Sequence, residues 1–314
     1  MILLNKITQT QDKFELAKRN NKRIDLHVHT KYSDATHTAE ELIEEAKQSN
    51  VGILSVTDHD SVDFYKRIKE NSTSIPEDLL LINGIEITCR YDGKMRDILG
   101  YNINCDIISS WLEEKYPFVE RLAKQKQILI NLKILAKRFG LAFDDSVDVY
   151  EGKKSEAYVT MYLELIKYPE NIVLCPELKQ ISRFHRECFT NPESPLFVDE
   201  TYDCPSIEEA IKIIHKAGGK AFVAHPYKYR MSDEDTLKYI NDACLFGADG
   251  IEVMHNTNQD NDVEKLYTIA KQYDLLISGG SDFHGHLKPD VKLGYGKNNN
   301  VNIKYFDIEK WIRN

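Results

Sequence analysis

The chain has 314 residues and a net charge of −9, with acidic and basic side chains intermixed along its length. That length is enough for one large α/β domain or a barrel with an insertion, and the acidic balance gives no electrostatic help in holding a long nucleic acid. A small phosphorylated substrate stays open, because bound metal ions reverse the local field.

Residues 1–22 read as a polar N-terminal extension with room for one helix. Met1-Ile-Leu-Leu is followed at once by Asn5 and Lys6, so no secretory leader is expected, and no run approaches the ~18 apolar residues of a membrane span. The six cysteines are scattered without a C-x-x-C pair, which argues against a zinc ribbon or a redox motif and for free thiols in a reducing cytoplasm.

From Ile24 the pattern alternates strand and helix. Ile24–His29 reads as a strand, and Thr38–Asn50 as an amphipathic helix opened by a Thr38/Glu41 capping box. Val51–Val56 is the unbroken apolar run of a strand buried on both faces. A helix over Ser61–Asn71, a strand over Leu79–Ile87, a turn at Tyr91-Asp-Gly-Lys94 and a strand over Arg96–Tyr101 follow. Residues 105–200 break the rhythm; helical spacing dominates, above all over Phe118–Phe139, and they read as an inserted helical subdomain. The alternation resumes with helices over Ser206–Ala217, Ser232–Phe246 and Asp260–Tyr273 and strands over Lys220–Ala224, Gly250–Val253 and Leu275–Ser278. About seven units in alternation argue for a parallel sheet, whose chemistry sits at the carboxyl ends of its strands.

Five of the ten histidines fall at those ends, in Asp25-Leu-His-Val-His29, Thr57-Asp-His-Asp60, Ala224-His-Pro226 and Gly280-Ser-Asp-Phe-His284, joined by Gly84-Ile-Glu86. His27 and His29 share one face of a strand, and so do Asp282 and His284 if that segment is extended. Asp34 follows in a loop, where a turn or helix-capping role competes with a ligand role. Asp58, His59 and Asp60 abut an apolar strand, and Glu86 lies inside another, where a carboxylate needs a partner or a cation. His225 and His255 are strand-end histidines open to a core role as well. A closed or nearly closed barrel brings all these ends to one mouth, whereas an open sheet spreads them along an edge.

The ordered series, with Ser33-Asp34, Ile98-Leu-Gly-Tyr101 and Gly250-Ile-Glu-Val253, resembles the PHP (polymerase and histidinol phosphatase) family of metal-dependent phosphoesterases. The helical block, with Arg183-Phe184-His185 near its end where an Arg-Pro-His string is usual, resembles the branch of nucleoside 3′,5′-bisphosphate phosphatases and 5′-3′ exoribonucleases. The resemblance implies a distorted (β/α)₇ barrel over 23–104 and 201–314, interrupted by the insertion at 105–200. It implies two or three divalent ions, manganese, iron or zinc, held by His27, His29, Asp34, His59, Glu86, His225, Asp282 and His284. A ninth ligand falls at Asp97, where the family commonly has His; an anionic oxygen donor there favours a harder metal. Ala35 stands where Gly is usual.

Metal ions about 3.5–4 Å apart would hold a hydroxide in line with phosphorus. In that scheme Glu86 bridges the metals, with His59 and Asp282 the further catalytic residues. Arg183, His185, Lys228, Arg230 and His255 are the expected substrate contacts, a guanidinium fork being suited to phosphate oxygens. The expected substrate is a small phosphorylated molecule such as a 3′,5′-bisphosphonucleotide or a short oligoribonucleotide. A histidinol-phosphate-type phosphatase and a non-catalytic, metal-stabilised module are the alternatives.

Overall fold

The computed structural model describes residues 2–71, 74–153, 155–199 and 204–312. The expected domain boundary at 200/201 lies outside them. The chain forms two compact units: Met1–Trp111, Cys204–Gly285 and Pro289–Asn314 make up the first, and Leu112–Asp203 with His286–Lys288 the second.

The first unit is an α/β barrel. Its seven strands are β1 (Arg23–Val28), β2 (Val51–Val56), β3 (Leu80–Tyr91), β4 (Lys94–Tyr101), β5 (Lys220–Val223), β6 (Gly250–His255) and β7 (Leu276–Gly280), hydrogen-bonded in that order. Every residue of β2 is buried, as the unbroken apolar run requires when both faces are covered. The helix between β1 and β2, Ala39–Gln48, begins with the expected capping box: the Thr38 side chain accepts from the Glu41 backbone N–H, and Glu41 accepts from that of Thr38. A second capping box, Ser206 with Glu209, opens the helix before β5.

The sheet is not wholly parallel. β4 runs antiparallel to both β3 and β5. The cause is local: Asp92 and Gly93 both have positive φ, 49° and 70°, the backbone of a two-residue hairpin, which can only join antiparallel strands. The reversal carries Asp97, near the start of β4, to the same rim as the carboxyl ends of its neighbours, opposite Thr88 of β3.

The barrel is nearly closed. Its seam, between β7 and β1, is joined by the segment that follows β7: Asp282 N–H donates to His27 O at 2.8 Å, His29 N–H donates to Phe283 O at 3.0 Å, and Val28 pairs with Phe283. Gly280 faces β1 with no room for a side chain; a Cβ there would lie 2.2 Å from the His27 nitrogen. Inside, Leu26, Ile53, Leu80, Leu99, Tyr101 and Phe222 pack with Phe14 and Ala17 from the helix Ile2–Arg19 and with Ile308 and Trp311 from the last helix. The N-terminal segment is thus part of the barrel's core; Phe14 and Ala17 are fully buried.

The second unit is helical, built on Phe118–Phe139 and Glu156–Leu165 around a core that includes Leu129, Leu132, Met161, Phe184 and Phe189. Among the described residues no helix is long and apolar enough to cross a membrane.

Gly280→Ala should push the seam apart and lower unfolding stability by about 2 kcal/mol or more, the scale of overpacking against a backbone that cannot yield. Urea or thermal unfolding measures it; an unchanged midpoint would show that the seam is not closely packed at this position.

Candidate metal centre

The site starts from the alternation of β1. His27 and His29, two residues apart, point to one side and are fully buried. His27 Nδ1 lies 2.8 Å from Glu252 Oε1, so it donates to that carboxylate and leaves Nε2 as an acceptor. That nitrogen faces His29 Nε2 and Glu86 Oε2, each at 3.1 Å. Acceptors this close repel one another unless a proton or a metal ion sits among them.

Glu86, inside β3, is the centre of the ring. Its Oε1 is 2.9 Å from His225 Nε2; its Oε2 is also 3.2 Å from His29 Nε2 and 3.4 Å from His59 Nε2. Asp282 Oδ1 lies 3.3 Å from His29 Nε2, and its Oδ2 lies 3.4 Å from His255 Nε2 and 3.5 Å from Lys228 Nζ. On one side Asp34 meets His284 Nε2 at 3.2 Å and His29 Nδ1 at 3.5 Å. On the other, Asp97 stands 3.9 Å from His225 Nε2 and 4.0 Å from His59 Nδ1, steadied by the hydroxyls of Thr88 at 2.9 Å and Tyr229 at 3.0 Å. All nine residues expected as ligands lie in this one network. Three trios within it, His27/His29/Asp282, His27/Glu86/His225 and His29/Asp34/His59, have donor atoms within 4.8 Å of one another, as a shared ion requires.

The electrostatics point the same way. Burial pushes the Glu86 carboxyl up, but His59 and His27 outweigh it and hold the group well below its ordinary range. Burial likewise pushes His29 down, yet hydrogen bonds to Asp282 and Glu86 carry it up to about 9. Without a metal the pocket thus draws protons onto its imidazoles. Buried carboxylates in this number need positive charge, and divalent ions bound by imidazole nitrogen and carboxylate oxygen supply it. The donor set therefore fits divalent metal ions.

The loops that carry these side chains are held by carboxylates buried beneath them. Asp58 accepts from the Thr30 backbone and from the hydroxyls of Thr30 and Ser33, which ties down the loop bearing Asp34. Asp25 accepts from the backbone and hydroxyl of Ser281 and from Gly294 N–H, which does the same for the Asp282 segment. His225 and Asp282 have positive φ, 27° and 54°, a backbone region that costs a non-glycine residue about 1–3 kcal/mol and clusters at functional sites.

Glu252 has no counterpart among the residues expected at the site. It sits inside β6 with no exposure, and its two oxygens accept from His27 Nδ1 and from the His225 backbone N–H, at 2.8 Å each. The signal that could have found it is the one that marks Glu86, a carboxylate in an apolar strand. His255, expected to touch substrate, is buried beside it, with Nδ1 2.8 Å from Thr257 Oγ1. Lys228 is part of the network and half-exposed, whereas Arg230 is exposed at the end of the turn Pro226–Tyr229. Arg183 and His185 belong to the second unit, where Arg183 pairs with Glu187 at 3.0 Å and the His185 ring stands edge-on to Tyr158.

A nearly closed seven-stranded barrel with imidazoles and carboxylates gathered at one mouth is the build of a metal-dependent hydrolase. The PHP domain model matches residues 25–273, and the chain belongs to that family of phosphoesterases. It is 28% identical over 264 residues to a 5′-3′ exoribonuclease of Haemophilus influenzae, covering 84% of this chain and 90% of the relative. It is 26% identical to a 3′,5′-nucleoside bisphosphate phosphatase of Chromobacterium violaceum, covering 83% and 87%. Among solved structures, a protein of Bifidobacterium adolescentis assigned as a metal-dependent phosphoesterase superposes with a TM-score of 0.66 at 27% identity, over 92% of this chain and 95% of its own.

Glu252→Gln tests the support beneath the ring. An amide offers one oxygen where two donors need two, so the amide nitrogen of the new side chain would set N–H against N–H on one face. Metal affinity should fall about 10- to 100-fold, the usual cost of losing such a partner; competition with a chelator measures it, and an unchanged affinity would remove Glu252 from the site's support.

Proposed function

We propose that the chain hydrolyses phosphate esters of small ribonucleotides, either a nucleoside 3′,5′-bisphosphate or the 5′ end of a short oligoribonucleotide. The observation that carries the reading is Lys228, whose half-exposed ammonium stands 3.5 Å from Asp282 at the edge of an otherwise carboxylate-rich ring. It suits a phosphate oxygen entering from solvent. The names of the two relatives, one an exoribonuclease and one a bisphosphate phosphatase, support a nucleotide over histidinol phosphate.

In this reading His27, His29, Asp34, His59, Glu86, Asp97, His225, Asp282 and His284 would hold the ions. The bound ions supply Lewis-acid polarisation of the phosphoryl group and activation of water. Lys228 draws the substrate's phosphate to the rim and balances its charge. Thr88 and Tyr229 keep Asp97 in place, and Glu252 holds His27 by Nδ1 so that Nε2 is turned toward the ring. His59, less buried than the other central imidazoles, lies where a substrate oxygen meets the ring. Arg183 and His185 are further candidate phosphate contacts, and Arg183, paired with Glu187, would give up that partner to take one. Arg230 is a further phosphate contact.

With manganese added, the protein should release phosphate from adenosine 3′,5′-bisphosphate or mononucleotides from a 5′-phosphorylated short RNA, and removal of metal by a chelator should stop it. No turnover of any phosphoester by metal-loaded protein would sink the reading; a preference for histidinol phosphate would redirect it. Asp282→Ala and His59→Ala should each lower kcat by about 10²-fold or more with the unfolding midpoint retained. Lys228→Ala should act mainly on KM, raising it about 10-fold, as expected for losing ~1.4 kcal/mol of phosphate binding.

A further inference from the structure

The second unit holds another cluster of metal-binding side chains, separate from the barrel's ring: Cys175, Glu177 and Cys188. The two sulfurs are 3.8 Å apart, and Cys175 Sγ lies 3.4 Å from Glu177 Oε2. A tetrahedral ion with bonds of ~2.3 Å to sulfur and ~2.0 Å to oxygen separates two sulfurs by about 3.8 Å and a sulfur from an oxygen by about 3.5 Å. Cys175 stands at those spacings from both Cys188 and Glu177, and the ligand atoms of all three lie within 4.8 Å of one another, whereas a disulfide would need the sulfurs at ~2.05 Å.

Local structure explains how two cysteines 13 residues apart, without the spacing of a zinc ribbon, come together. Cys175 ends the helix Pro169–Leu174 and precedes the turn Pro176–Lys179 that bears Glu177. Cys188 lies in a π-helical turn, Phe184–Phe189; such turns are rare and recur at functional sites. Arg183 Nη2 approaches Glu177 Oε1 at 3.8 Å, so the other carboxylate oxygen is the one at the sulfur. Both cysteines are nearly buried, yet they line an open pocket of about 250 Å³ with Glu187, Glu193, Asn191 and Ser194. Both cysteines belong to the edge of the second unit's core, and the opening leaves one side of the trio accessible.

We infer that Cys175, Glu177 and Cys188 bind one thiophilic divalent cation of the zinc class, with the fourth position open to the pocket for water or an exogenous ligand. Binding releases the two thiol protons to solvent, so affinity rises with pH. Soft sulfur ligands separate this cation from those of the barrel, whose donors are nitrogen and oxygen only.

Cobalt(II) titration of the full chain under reductant distinguishes the two centres, because only thiolate ligands give sulfur-to-cobalt charge-transfer absorption. The expected result is a charge-transfer band saturating at one equivalent, reversed by zinc, lost in Cys175→Ser and in Cys188→Ser and kept in Cys244→Ser and Asp282→Ala. Glu177→Gln should weaken binding about 10-fold or more. In unsubstituted protein, zinc should slow alkylation of Cys175 and Cys188 at least about 10-fold relative to Cys244, read by peptide mass spectrometry. This second measurement covers a serine variant that fails to fold. No band with all thiols reduced, a band that survives both serine substitutions, or equal alkylation with and without zinc would overturn the site.

Discussion

Glu86 is a charged group with no access to water, and the mouth of the barrel is arranged around that fact. A lone carboxylate in such a place would take up a proton. Instead four imidazoles, on β1, after β1, after β2 and after β5, converge on its two oxygens. Three of the four have a polar neighbour at the other ring nitrogen: Glu252 beneath His27, Asp34 3.5 Å from His29 and Thr88 3.3 Å from His59. The layers together gather five carboxylates, Asp34, Glu86, Asp97, Glu252 and Asp282, whose charge is offset either by protons on the imidazoles or by divalent cations. Substrate phosphates are anionic, so the same centre attracts them only when its ions are in place.

Much of this is legible in the sequence because parallel α/β units write themselves plainly. Val51–Val56 and Phe118–Phe139 have the boundaries expected from their patterns, and strand-end histidines stand out against apolar runs. The direction of β4 is obscured by the rhythm around it. Asp92-Gly93 reads as a turn, but a two-residue turn also sets strand direction, and seven regular alternations mask that local rule. Glu252 lies in a string that marks the family, Gly250-Ile-Glu-Val253, yet it reads there as plain strand; a buried carboxylate in that place demands a partner no less than Glu86 does. The grip of Phe14 and Ala17 on the barrel floor cannot be read from a polar helix whose apolar face is only a few residues wide. The meeting of Cys175 with Cys188 depends on a π-turn, which leaves no periodic trace.

The antiparallel β4 is more than a topological exception. A parallel strand in that place would put its carboxyl end, Gly100-Tyr101, at the mouth and its amino end on the floor. Reversed, it lends Tyr101 to the core packed by Trp311 and Phe222 and lends Asp97 to the metal ring. One strand therefore serves both ends of the barrel in the opposite sense from its neighbours.

The seam between β7 and β1 has a consequence for how this enzyme can change over time. The segment that closes the barrel is also the segment that carries Asp282, and its backbone clasps the residues on either side of Val28, between the two histidines. A fluctuation that parts the seam must disperse the metal ring, and a mutation that disperses the ring loosens the clasp. Amide exchange at Asp282 and His29 should accordingly be among the slowest in the holoenzyme and quicken when the ions leave. Selection acting on catalysis then conserves barrel closure without further pressure, and drift in this stretch is restrained twice over, by chemistry and by topology.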